Sequence, residues 1–248
     1  MPGAHHFQDQ AYVLHSRAYR NTSLLIDVLT RHHGRMSMVA KGAKRGNSPL
    51  AGKLQPYLPL FIEWGGQNEL VTLYKAEADT RSHQTLAGDA LYHGFYLNEL
   101  LMRLLHRHDA HPELFDHYAQ CLDALGQSEH KDVPLRYFEL HLLESLGYAM
   151  NLLQDVRSDV AVSREHAYHY LIELGPVLSN GQATDGLCVS GDTLYALAEH
   201  SLTQDKQRTE AKLLMRAVLD HYLGERPLKA RELMQSRKLL RPSTPKPG

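Results

Sequence analysis

The hydrophobic periodicity of this chain changes once, near Thr80, and that change limits the possible folds more than any other feature. Before it, apolar residues form short or alternating runs with the period of two that marks half-buried strands. After it they recur at intervals of three and four, the spacing of amphipathic helices. Strands first and helices after describe an α+β protein, and 248 residues suffice for two domains, each with its own core.

Five runs read as strands: Tyr12–His15, Leu24–Leu29, Met36–Ala40, Tyr57–Trp64 and Leu70–Ala76. Gly34 follows the second run, a stretch rich in Gly, Asn and Pro from Gly42 to Gly52 follows the third, and Gly65-Gly66-Gln67-Asn68 suits a hairpin turn between the last two. Five short strands in about 70 residues fit a small closed barrel of the OB type, a fold that commonly binds single strands. An SH3-like barrel fits the same runs. The period of two puts Met36, Met38 and Ala40 on one face of the third strand, with Arg35, Ser37, Val39 and Lys41 on the other.

The remainder reads as helical. Leu91, Phe95, Asn98, Leu101, Met102 and Leu105 form one stripe, and a second helix covers Pro112 to Leu125. A third starts at Asp132 as its N-cap and stops at Gly147, with Leu135, Phe138, Leu142 and Leu146 inward. Helices return over Asp192–Glu199 and Asp205–Leu223, the latter with Ala211, Leu214, Val218 and Tyr222 on one face. The resulting division is a barrel domain over 1–80, a helical domain over 81–241 with an irregular insert at about 150–190, and a disordered tail over 242–248.

Charge is neutral in sum and uneven in distribution. The net value is −1, but Arg17 to Lys53 carries eight Lys/Arg against Asp27 alone, and Gly224 onward carries seven against two. The rest of the chain holds −13. Local positive potential attracts a polyanion whatever the overall pI. The candidate polyanion contacts, DNA among the possible ligands, are therefore Arg17, Arg35, Lys41, Lys44, Arg45 and Lys53, with Lys229 and Arg231 from the second basic run. Tyr19, Tyr57 and Trp64 could stack on bases, although a small barrel more often buries its aromatic residues.

Enzyme chemistry finds little support. The stretch from Gly46 to Leu54 has one residue too many between its glycines for a P-loop, and Leu54 stands where a metal-binding hydroxyl belongs. His106, His108 and His111 with Asp109 are the densest histidine group, but spacings of two and three place them on different sides of a helix end. The expectation is a protein that is not an enzyme and carries no cofactor. Only Cys121 and Cys188 are present, too few for a four-cysteine zinc site. No apolar run spans a membrane and the N-terminus lacks a signal-peptide pattern, so a cytoplasmic protein is expected.

Several segments resemble the RecO family: Val13–Arg17 with Thr22-Ser23-Leu24, VAKGAKRG from Val39, LQPYLPL from Leu54, LYHGFYLNELLMRLL from Leu91, LRYFELHLLESLGY from Leu135 and RPLKARELM from Arg226. The resemblance runs through both domains in order, with 150–205 poorly matched. It implies an N-terminal OB-fold on a helical domain, binding to single- and double-stranded DNA, annealing of complementary strands, and partnership with RecR and with SSB in loading a recombinase onto gapped DNA. Some members carry a four-cysteine zinc site in the region corresponding to 150–205, where this chain has only Cys188. The acidic, hydrophobic SSB tail implies a receptor with an apolar groove and a cation, and Arg136, with Leu135 and Phe138 beside it, is the expected site. An OB-fold RNA-binding or translation-associated scaffold and a metal-dependent nuclease are the alternatives.

Overall fold

The computed structural model describes residues 6–66, 70–79, 86–180 and 186–240. The expected turn residues Gln67 and Asn68 and the tail over 242–248 lie outside them. By internal contacts the chain forms two compact units, Met1–Phe115 with Arg226–Gly248, and Asp116–Glu225. By contacts the barrel's unit continues past residue 80 to Phe115, and the basic C-terminal run belongs to it.

In the first unit, β1 (His6–Tyr19), β2 (Ser23–Thr30), β3 (Gly34–Ala40), β4 (Pro59–Gly65) and β5 (Leu70–Ala78) close into a barrel in the order β1-β2-β3-β5-β4. Closure depends on β1, whose first half pairs with β4 from His6 to Tyr12 and whose second half pairs with β2 from Ala11 to Tyr19. The β3–β5 pairing is parallel and every other pairing is antiparallel, as the OB-type order requires. Alternation decides the interior: Val13, Ile26, Val28, Met38, Ile62 and Trp64 are all buried in one core. Each such side chain contributes on the order of 1.5–3 kcal/mol by leaving water.

A register shift between Val13 and His15 leaves Leu14 as a bulge. Its carbonyl accepts a hydrogen bond from Asn98 Nδ2 at 2.8 Å, which docks α1 (Asp89–Leu104) on the barrel. The buried face of α1 is Ala90, Gly94, Leu97, Asn98 and Leu101, whereas Leu91 and Phe95 of the expected stripe are exposed. The helix is rotated because the barrel approaches it closely. A Cβ on Gly94 would lie 2.7 Å from the Tyr57 ring, so a glycine stands at the point of closest approach, on a face that also buries Leu97 and Leu101.

The same unit holds α6 (Lys229–Leu240), whose first amides, from Lys229 and Ala230, donate to the Glu99 carboxylate of α1. The preceding segment is held by Arg103, which donates to the Arg226 carbonyl at 2.7 Å.

The second unit packs the bulk of α2 (Pro112–Gln127) with α3 (Asp132–Ser145), α4 (Gly191–Ala198) and α5 (Asp205–Leu223). It is not wholly helical. Three short strands, β6 (Ala167–Leu171), β7 (Gly175–Leu178) and β8 (Leu187–Ser190), form an antiparallel sheet in the order β7-β6-β8 within the stretch expected to be irregular. Asp155 organises that stretch. Its carboxylate accepts the backbone N–H groups of Arg157, Ser158 and Leu178. Burial acts to raise its pKa, but these donors outweigh it and hold the carboxyl below its ordinary value.

Candidate nucleic-acid interface

The outward rows of the β1-β2-β3 surface run from a covered end to an open one. At the covered end stand Tyr12, Leu29 and Arg35, paired across the strands. Phe115 packs on Tyr12 at 5.3 Å between ring centroids. The segment after α1 crosses the β2–β3 hairpin so closely that a Cβ on Gly34 would meet the Asp109 carbonyl oxygen at 2.1 Å. Gly34 also has a φ of +69°, which glycine adopts without strain.

Arg35 belongs to this covered end. It points outward, as the strand alternation requires, but its Nε and Nη2 both donate to the Leu105 carbonyl, at 3.2 and 3.0 Å. Burial and the neighbouring Arg107 lower its pKa. Arg35 is therefore a clamp within the fold, and its expected role as a DNA contact is corrected.

One row further on, Asp27 accepts a 2.6 Å bond from Ser37 and lies 3.9 Å from Arg107. Beyond it the surface opens. Arg17 is exposed opposite Leu25, and exposed Lys41 follows Ala40, whose partner is Leu24. The loop after β3 is bound to the β1–β2 turn by the Lys44 amide, which donates to the Thr22 carbonyl at 2.9 Å. This bond brings Lys44 and Arg45 to the end of the barrel where Arg17 and Arg20 sit.

The loop's own sequence explains how it displays its cations. Ala43, Leu50 and Leu54 are buried in the barrel core, while Lys41, Lys44 and Arg45 between or beside these anchors are exposed and Lys53 is half-buried. Between Gln10 and Ile62 the only carboxylate is Asp27, already engaged, and among the described residues Arg17, Lys41, Lys44 and Arg45 form no ion pair.

The aromatic candidates divide. Trp64 is core, stacked on Phe7 and met edge-on by His33. Tyr57 is packed against α1, with a buried hydroxyl that has no hydrogen-bond partner. Tyr19, half-buried, stays on the rim with the Arg20 guanidinium 5.3 Å from its ring centroid. Arg20 was not singled out from sequence, although its place beside Tyr19 in a turn was visible. In α6, Lys229 is exposed, whereas Arg231 is half-buried over the Tyr96 ring at 5.7 Å.

The expected peptide receptor is corrected too. Arg136, Leu135 and Phe138 are all buried, and the Arg136 guanidinium is hydrogen-bonded to Glu139, three residues on in the same helix. No terminal carboxylate reaches that cation in this arrangement. Sequence reasoning put Arg136 next to the apolar face, with an exposed Arg paired to a neighbouring carboxylate as the alternative; the pairing is present, and the residue is buried.

For metals, the residues do not fit a four-cysteine site: Cys188 pairs with His169 across β6 and β8, and it is the only cysteine in 150–205. Among the described residues no group of three or more His, Cys, Asp or Glu is arranged to hold an ion.

Fold and rim define a class, that of OB-type barrel proteins with a cationic loop face, continued by a helical unit. Comparison with known proteins narrows it. The family described as Recombination protein O, N terminal, matches residues 4–80, and its C-terminal counterpart matches 86–232. The chain is 46% identical to the DNA repair protein RecO of Methylococcus capsulatus, covering 92% of this chain and 93% of that one. It is 45% identical to the protein of the same description from Nitrosospira multiformis, over 91% and 93%, and 42% identical to that of Azoarcus sp. strain BH72, over 92% and 95%. The chain belongs to the RecO family of DNA repair proteins.

Proposed function

We propose that the protein is a non-enzymatic repair mediator that binds single- and double-stranded DNA through the barrel rim and anneals complementary strands. The observation that carries this reading is the rim itself: Arg17, Lys41, Lys44 and Arg45 collected at one barrel end, none of them ion-paired among the described residues. Such cations displace counterions from phosphates without regard to sequence. Neutralising two backbones at once lowers their repulsion, which is what strands need in order to pair.

The family resemblance further supports partnership with RecR and SSB in loading a recombinase on gapped DNA. That part of the reading does not use Arg136 as the SSB receptor. None of the described helices is long and apolar enough to cross a membrane, and the proposed place of action is the cytoplasm, at the nucleoid.

The test incubates complementary labelled DNA strands with the protein in chelator. Faster duplex formation that is lost on neutralising the rim supports the proposal. Annealing of RNA in preference to DNA would favour a translation-associated scaffold, and cleavage on adding magnesium would replace the mediator reading with a nuclease.

A further inference from the structure

The unit from Asp116 to Glu225 is as acidic as the barrel unit is basic, with seventeen Asp/Glu against eight Lys/Arg. Within it, the end of α3, the β6–β7 turn and the last turns of α5 enclose a cavity of about 200 Å³. That exceeds the roughly 150 Å³ that accommodates a benzene ring. Its lining includes Tyr148, Tyr170, Tyr222, Met150, Val218 and Glu173: three phenols and a carboxylate, with no lysine or arginine.

Phenol rings and a carboxylate are groups that attract a cation. Tyr148 and Tyr222 are stacked at 4.2 Å and 22°. Tyr170 is 3% exposed and lines the cavity with them. Glu173 reaches the cavity from a turn in which its φ is +70°, a conformation that favours glycine, and one of its oxygens is engaged by His221 Nε2 at 3.0 Å. Burial first, and then the charge of Glu173, raise the Tyr222 pKa, in keeping with an electron-rich lining.

The surface beside the cavity is apolar. Leu174, next to Glu173, is 62% exposed, and Val156, Val160 and Leu178 are exposed as well. They share one braced element, because the Val156 amide donates to the Pro176 carbonyl and the Leu178 amide donates to Asp155. Aromatic faces with a carboxylate bind guanidinium groups, and exposed aliphatic side chains around such a pocket exclude water from the contact.

We propose that this cavity docks a basic segment of a partner protein, with an arginine guanidinium seated against the tyrosines and Glu173 and its aliphatic neighbours on Leu174 and Val156. Charge complementarity selects the occupant, since the lining holds a carboxylate and three phenol rings with no lysine or arginine, and the unit around it is acidic.

The experiment is an NMR titration of the full-length protein with the probe acetyl-Gly-Leu-Arg-Leu-Gly-amide, and with the same peptide carrying citrulline, which keeps the shape and removes the charge. Saturable shifts at Tyr148, Tyr170 and Tyr222, with citrulline at least tenfold weaker, are expected. Glu173→Gln should weaken the arginine peptide by about tenfold. Shifts that do not saturate, that map elsewhere, or that are equal for citrulline would overturn the proposal. The citrulline comparison uses the unaltered protein, so it stands even if the variant folds poorly.

Discussion

Neutralising the rim should change how DNA affinity depends on salt, and the size of the change follows from the number of open cations. If Arg17, Lys41, Lys44 and Arg45 each neutralise one phosphate, the slope of log affinity against log salt is about −3.6 on duplex DNA. Affinity then falls about 150-fold between roughly 50 and 200 mM salt. In the triple variant Lys41→Gln, Lys44→Gln, Arg45→Gln the slope should drop to about −0.9, and the same step should cost only about 3.5-fold. On single strands the corresponding losses are about 50-fold and about 2.6-fold. These three side chains are exposed, so stability should stay within about 0.5 kcal/mol. Fluorescence anisotropy at four salt concentrations, with unrelated sequences compared, gives the slopes. Arg35→Gln is the control: it should leave the slope alone and cost about 1–3 kcal/mol of stability through the lost Leu105 clamp. An unchanged slope in the triple variant, or a slope reduced by about one unit in Arg35→Gln, would refute the assignment.

Gly34→Ala forces a side chain into a left-handed backbone and against the Asp109 carbonyl, so it should cost at least about 2 kcal/mol and lower the melting temperature by about 4 °C or more. An unchanged melting temperature would mean the segment over the hairpin yields freely. Arg136→Ala should destabilise by about 3–5 kcal/mol, whereas Arg136→Met with Glu139→Leu should recover most of the loss, as urea titrations would show. Asp9 provides a pH test. Burial acts to raise its pKa, but hydrogen bonds from the His32 amide, both His33 and His32 rings and the Gln10 amide hold it below the ordinary 3.8. A depressed folded pKa gives stability that is complete above about pH 4 and is lost as pH falls through the folded value. Melting curves from about pH 5 to 2 should therefore show a steeper acid limb for the native chain than for Asp9→Asn. Parallel limbs would remove Asp9 from the account.

The barrel strands were legible because β-branched and apolar residues alternated against a single core, and Met36, Met38 and Ala40 bury as their spacing indicates. Helix α1 was legible as a helix but not in its rotation. Hydropathy favours Leu91 and Phe95, whereas close packing on the barrel selects Ala90 and Gly94, and periodicity does not register how near a neighbour comes. Arg35 shows the same limit from the other side. Alternation says which way a side chain points, not whether a segment seventy residues later covers it. Of the small sheet in the second unit only short β-like pieces around His169 to Ile172 were legible, because its strands are four or five residues long and depend on Asp155, a single carboxylate, to fix the loop beside them. Rim cations were readable one by one. Their gathering depends on a backbone bond from Lys44 to Thr22, which leaves no trace in residue type.

The chain's last segment belongs with its first, so residues 116–225 stand in chain order as an insertion within the barrel unit. Proteins leave the ribosome N-terminus first, and domains generally fold as units. The barrel strands and the whole acidic unit therefore emerge before the helix that Glu99 caps. The unit carrying the rim reaches its final form only once the residues after Glu225 have been made. A nascent chain stalled near Gly224 would present a folded acidic unit and an unfinished basic one, with the surface of α1 that α6 contacts still exposed. That surface would distinguish an incomplete copy from a finished one to any chaperone or protease that samples exposed apolar surface.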